Sequence, residues 1–130
     1  MREILFRGKR TDNGEWIFGS IIHQTDYYGD KCDRWFIIEG NDTNDYDIDY
    51  PIEVQKETVG QYTGVNDTYD KPIFEGDIVL SVSGKAYEVK FGEGSFYMNG
   101  ASIAIHHSKW FTVIGNRWDN PERIWRADNV

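Results

Sequence analysis

The 130 residues carry 22 acidic against 14 basic side chains, one cysteine and 15% aromatic residues, for a formal charge of −8. One cysteine excludes an internal disulfide and a thiolate zinc site and fits a reducing compartment, while the acidic balance sets general binding to phosphate backbones at a disadvantage. No apolar run nears the ~18 residues of a membrane span, and the first ten residues lack the apolar stretch of a secretory signal, so a soluble cytoplasmic protein is the expectation.

The charge is uneven along the chain. Between Glu39 and Glu57 seven acids stand against the single base Lys56, whereas Arg2, Arg7, Lys9 and Arg10 oppose only Glu3 at the start. A basic first strand is the one place where nucleic-acid contact is expected, although a solvated or internally paired face is the simpler reading.

Turn signals are dense and long helical periods are missing. Asn13-Gly14, set between Ile4 to Lys9 and Glu15 to Ile22, predicts a hairpin with a primed turn, because both turn positions need positive φ. Tyr27-Tyr28-Gly29-Asp30-Lys31 predicts a second turn, leading into Arg34-Trp35-Phe36-Ile37-Ile38, whose continuous apolar run reads as a strand buried on both faces. Gly40 to Asn44 reads as a polar loop. Asp45 to Tyr50 alternates strictly, which places Tyr46, Ile48 and Tyr50 on one face and three aspartates on the other. Pro51 ends that run or sets it at a sheet edge, and Ile52 to Glu57 fits a short strand and a helical turn equally.

Further on, Asp77 to Val82 and Ala86 to Phe91 flank Ser83-Gly84 and predict a hairpin, with Tyr87, Val89 and Phe91 toward the core. Gly92-Glu93-Gly94 predicts a turn into Ser95 to Met98, and Asn99-Gly100 another turn into a strand from Ala101 to Ile105. Lys109 to Ile114 is the last strand. Asn120-Pro121-Glu122-Arg123 reads as a helix start, with Asn120 as cap and with Ile124 and Trp125 docking on the core. Eight or nine short strands with almost no helix predict an all-β fold, a barrel or a sandwich.

Two central segments, Val59-Gly60-Gln61-Tyr62-Thr63-Gly64-Val65-Asn66-Asp67 and Ile73-Phe74-Glu75-Gly76-Asp77-Ile78-Val79, resemble the QYTG…EGD signature of the YopX family of phage and prophage proteins. The spacer Thr68-Tyr69-Asp70-Lys71-Pro72 stands where that family more usually has an Asn-Gly-Lys turn. Phe6-Arg7-Gly8-Lys9-Arg10 with Gly14-Glu15-Trp16 resembles the family's FRG…GEW opening. Phe111 to Asn116 with Asn120-Pro121-Glu122 resembles its VIGN…NPE close. The resemblance implies a short-stranded all-β fold with an SH3-like barrel in the C-terminal part, in a small protein carried on bacterial mobile elements. It implies no activity and carries over no catalytic residue. The expected organisation is an N-terminal β subdomain over 1–58 and an SH3-like β-barrel subdomain over 59–130, able to form one continuous domain, with any seam at Gly60 to Gly64.

The signature residues Gln61, Tyr62, Thr63, Gly64, Asp67, Glu75, Gly76 and Asp77 have a structural reading. Gly64 and Gly76 suit tight turns, and Tyr62 and Phe74 have the bulk to anchor two limbs on a core. The short polar side chains can satisfy backbone groups in a partly buried connection, Asp77 by accepting turn amides.

Few side chains are spaced for chemistry. The Asp45/Asp47/Asp49 ladder fails as a calcium loop, since the sixth residue from Asp45 is Tyr50 and the twelfth is Lys56. Cys32 lies between Asp30, Lys31 and Asp33, where carboxylates disfavour a thiolate. His106 and His107 are adjacent and would face opposite sides of a strand, and His23 is remote. No metal site, cofactor or catalytic residue is therefore expected. Most aromatic side chains are core fillers, while Tyr27, Tyr28, Tyr69 and Trp118 fall in predicted loops and are candidates for a partner surface. The expectation is a non-enzymatic protein-interaction module whose partner is a host or phage protein, with a homo-oligomer also open. Nucleic-acid binding through the basic first strand and stacked aromatics is the alternative.

Overall fold

The turn-punctuated alternation of the sequence becomes ten strands and two 3₁₀ segments in a computed structural model that describes residues 4–39, 50–100 and 105–124, the side chain of His106 excepted. The Gly40 to Asn44 loop, the aspartates of the acidic ladder, most of the strand expected from Ala101, and Trp125 lie outside the described residues. Among the described residues no helix is long and apolar enough to cross a membrane. The fold is all-β, with antiparallel pairing throughout. Chain contacts divide it into one unit over Glu3–Gln61 and a second containing Tyr62–Val130.

In the N-terminal unit β1 (Phe6–Lys9), β2 (Trp16–Tyr27), β3 (Asp30–Ile38), β4 (Ile52–Val54) and the start of β5 (Gly60–Asn66) lie in the order β4-β3-β2-β1-β5. Period two sends Ile17, Ile37 and Val54 into the core, with Ile21, Trp35, Ile52 and Val59 packed around them. The opposite face carries Phe18, Ile22 and Phe36, of which Phe18 and Ile22 are exposed. The expectation that the strand from Arg34 to Ile38 is buried on both faces is therefore corrected. Only Ile37 is fully buried, because an antiparallel sheet packs one face and leaves the other to solvent.

The first hairpin forms, but not with a primed two-residue turn. Arg10 N donates to Glu15 O at 2.9 Å and Gly14 N to Arg10 O at 3.0 Å, closing a longer loop in which Gly14, and not Asn13, has positive φ. Both positive φ values occur instead at Tyr28 (51°) and Gly29 (84°), between the paired residues Tyr27 and Asp30. That is the primed geometry matched to strand twist. Ile52 to Glu57 resolves into both alternatives, β4 followed by the 3₁₀ turn Lys56–Thr58.

In the C-terminal unit the rest of β5 pairs with β6 (Pro72–Phe74) through Tyr62 and Phe74. β7 (Asp77–Ser81), β8 (Ala86–Gly92), β9 (Ser95–Met98) and β10 (Phe111–Asn116) make a four-stranded sheet ordered β10-β7-β8-β9. Ile73, Val79, Val89, Met98 and Phe111 form its core. The pairings among the described residues give an open sheet. Phe91 does not reach the core: it is 53% exposed and meets Phe96 edge-on with centroids 5.0 Å apart. The reason is register, since β7 pairs with β8 only as far as Glu88 and the remainder of β8 has β9 alone beside it. Lys109 and Trp110 belong to a 3₁₀ segment, Ile105–Trp110, and β10 starts at Phe111. Asn120 does not cap a helix with its side chain; its Oδ1 accepts from Asn116 N at 3.3 Å, closing a turn ahead of one helical turn at 122–124.

Candidate functional site

Asp67 organises the central signature. Its side chain is 1% exposed. Oδ1 accepts from Tyr69 N at 2.8 Å and Lys71 N at 2.9 Å, and Oδ2 accepts from Val113 N at 2.9 Å. One carboxylate thus closes the β5–β6 loop and ties it to β10, as a buried anion must be tied by charge-assisted hydrogen bonds. Thr68 N donates to Phe111 O, and Ser108 Oγ donates to Asn66 O at 2.6 Å, which adds to the same tie. Thr63 Oγ1 donates to Ile73 O at 2.8 Å across the hairpin. Tyr62 and Phe74 face each other with centroids 5.6 Å apart, and Tyr62 Oη donates to Asn66 Oδ1 at 2.5 Å. Asp70 takes positive φ (64°) where a glycine turn would be easier. Its carboxylate accepts from Asn66 Nδ2 and from Lys109 Nζ, which together hold its carboxyl below the usual range.

The EGD half is equally structural. Asp77 Oδ2 accepts from Phe74 N at 2.8 Å across the β6–β7 turn. Gly76 has φ +90°, and a Cβ there would be driven into the Trp118 indole. Gly64 also has φ +90°, Glu75 is half-buried beside the turn, and Gln61 pairs with Phe6 at the end of the N-terminal unit. The opening motif is a cross-strand stack: the Arg7 guanidinium lies 4.7 Å from the Trp16 ring centroid. A Cβ on Gly8 would press on the Val54 side chain, so glycine lets β4 approach. In the closing motif Asn116 Oδ1 accepts from Trp118 N at 3.0 Å and Asp119 N at 2.8 Å.

The aromatics expected in loops lie elsewhere, with Tyr27 found as the last residue of β2 and not in a loop. Tyr27 and Tyr28 sit at the end of the β2–β3 ribbon, 56% and 91% exposed, and their rings meet edge-on with centroids 4.6 Å apart. Tyr69, in the β5–β6 loop, is 78% exposed. Trp118 does not share that exposure, because it is half-buried over Gly76.

A side-chain cluster that the sequence reading missed lies on β2, β3 and the first 3₁₀ turn. His23 stacks on Trp35 with centroids 3.8 Å apart and planes 12° from parallel. Asp33 Oδ1 takes Trp35 Nε1 at 3.0 Å and His23 Nε2 at 2.6 Å, while Oδ2 takes Lys56 Nζ at 2.6 Å. The Lys56 ammonium first, then His23, hold the Asp33 carboxyl down to about 2. The available signal was the strand period, which puts Asp33 and Trp35 on one face, but the His23 register could not be read. On the other face Arg34 makes a bidentate pair with Glu53 at 3.2–3.3 Å. A hollow of about 360 Å³ there is lined by Ile22, His23, Gln24, Phe36 and Pro51.

His23 has Asp33 as its hydrogen-bond partner, and the half-buried Cys32 Sγ donates to Gln24 O at 3.4 Å. No group of three or more His, Cys, Asp or Glu side chains able to hold a metal occurs among the described residues.

The crystal structure of protein EF1440 from Enterococcus faecalis is similar in fold, with a TM-score of 0.59 at 21% identity, covering 95% of this chain and 99% of that one. No curated protein matches the chain. The family model described as YopX protein matches residues 5–125, a span that takes in the Arg7–Trp16 stack, the Asp67 tie and the Asn116 turn. On that match over nearly its whole length, the chain belongs to the YopX family.

Proposed function

We propose that this protein is a non-enzymatic protein-interaction module of phage or prophage origin, acting in the bacterial cytoplasm on a host or phage protein, with an SH3-like barrel as its C-terminal part. One observation carries the reading: the β2–β3 ribbon ends in two exposed tyrosines, Tyr27 as the last residue of β2 and Tyr28 in the two-residue turn after it, and Tyr28 occupies positive φ, a conformation costly for an aromatic residue. Strain held at an exposed position points to function rather than stability. Tyrosine supplies large contact area at low entropy cost, as interface anchors do. The barrel and the mobile-element origin rest on the family resemblance, and the partner class rests on fold analogy together with the tip.

Placing a photo-crosslinking amino acid at Tyr28, in bacteria carrying the element, tests the reading. One dominant protein adduct is expected, together with loss of that protein from material copurified with the double variant Tyr27→Ser/Tyr28→Asn. An adduct pattern no different from background, with copurification unchanged in the variant, overturns it.

Nucleic-acid binding through the first strand has less to support it. Arg7 is buried under Trp16 and Arg10 is paired with Asp12 at 2.8–2.9 Å, so both cations are engaged within the N-terminal unit.

A further inference from the structure

β3 does not run evenly beside β2. Its pairing shifts between Gln24–Arg34 and Asp26–Lys31, so that Cys32 and Asp33 together oppose Thr25 alone. Two residues against one make a β-bulge, a device that re-aims side chains and recurs beside functional sites. Asp33 lies in that bulge, and its carboxylate meets Trp35 Nε1 and His23 Nε2 on one oxygen and Lys56 Nζ on the other.

The two sides of this cluster are held differently. Trp35 packs on the core of the N-terminal unit and His23 stacks on Trp35, so Oδ1 of Asp33 is fixed by two anchored rings. The backbone of the first 3₁₀ turn is fixed as well, with Gln55 N donating to Lys9 O at 2.8 Å and Lys9 N to Thr58 Oγ1 at 2.8 Å. From that turn Lys56 reaches Oδ2 by its flexible stem alone, its side chain 55% exposed and that of Asp33 47%. An ion pair this open adds little to stability, and a long side chain loses rotamer freedom in holding it. A carboxylate that is rigidly aimed on one side, and closed on the other by an accessible flexible cation, can exchange that cation.

We propose that Asp33 anchors an arginine side chain of a partner protein, and that Lys56 is the internal cation the guanidinium displaces. Three features favour guanidinium over ammonium. A free ammonium exchanges like for like against one already tethered, whereas guanidinium brings parallel N–H groups to the carboxylate. It is flat and weakly hydrated, which suits a place beside the Trp35–His23 stack. With Lys56 moved aside, the adjoining and exposed Glu57 adds its charge to that of Asp33, leaving an excess of negative charge for a cation. Such a partner is of the class proposed above, so the site rests on that reading, although it shares no residue with Tyr27 and Tyr28.

An NMR titration of the full chain with N-acetyl-arginine amide at constant ionic strength tests the site, followed at the Trp35 indole N–H and the Asp33 carboxyl carbon. Both resonances should shift saturably, and N-acetyl-lysine amide should bind more weakly by roughly threefold or more. Lys56→Met should tighten the arginine probe by roughly fivefold, because the competing pair is gone. Asp33→Asn should abolish the saturable shift at Trp35 with the circular dichroism spectrum unchanged, and Tyr27→Ser/Tyr28→Asn should leave it as it is. No saturable shift, equal binding of both probes, no gain in Lys56→Met, or a shift that survives Asp33→Asn would each overturn the proposal. Such a failure with the Tyr28 adduct still formed removes the arginine site alone. Saturable arginine binding without that adduct removes the tyrosine tip alone.

Discussion

The Asp67 carboxylate, buried and held by three backbone amides, shows how a short polar motif can be a structural device. Replacing it with Asn presents an amide group to donors and leaves a buried N–H without an acceptor. Asp67→Asn is therefore expected to destabilise the protein by about 2–4 kcal/mol, read as a lower urea midpoint at unchanged slope. A loss under about 0.5 kcal/mol would mean that the amides find other acceptors. Gly76 makes a separable test. Gly76→Ala forces a Cβ at φ +90° into Trp118, with an expected cost of about 2–4 kcal/mol from strain and overpacking. Trp118→Ala in the same background should recover about 1 kcal/mol or more of the steric part, since residues in contact couple. At Asp33 the carboxyl is lowered to about 2 by Lys56 and then His23, from an ordinary value of 3.8. A folded-state value below the unfolded one contributes stability above pH 4 that fades as pH falls from about 4 to 2. The group is solvent-accessible, so the contribution is small. Lys56→Met should move the Asp33 titration, followed by carbon NMR, back toward the ordinary range; an unmoved titration would assign the shift to His23 and Trp35.

At the scale of elements, hairpins were easier to locate than to type. Asn13-Gly14 and Tyr28-Gly29 both mark reversals, yet the better turn dipeptide makes the longer loop and the poorer one makes the primed turn. Register explains this. The Arg7–Trp16 stack and the approach of Gly8 to Val54 constrain how β1 meets β2 and β4, and the loop accommodates that pairing. The β2–β3 ladder runs to Tyr27 and Asp30, leaving two residues to turn whatever their preference. Tyr28→Asn is thus expected to stabilise the fold by about 0.5–1 kcal/mol, by thermal or urea unfolding. Loss of partner binding in the same variant would show that strain is retained for recognition. A destabilised variant would instead assign Tyr28 a packing role with Tyr27.

The whole molecule carries −8, and two of its N-terminal cations are occupied by Trp16 and Asp12. A labelled oligonucleotide is therefore expected to show no anisotropy change at low salt, where phosphate contacts are strongest. Saturable binding that weakens steeply with salt would revive the nucleic-acid reading. By itself the sequence determined the all-β class and the family, because turn residues, period-two alternation and three spaced motifs act over a few residues each and survive without knowledge of partners. It also marked Asp77 as an acceptor of turn amides, a local interaction over three residues. Only the tertiary structure decided what depends on distant register. That includes Phe91 left outside the core, Trp118 seated on Gly76, and Asp33 shared by Lys56, His23 and Trp35. Each places side chains remote in sequence against one another, and strand alternation tells which face a residue takes but not which residue it will meet there.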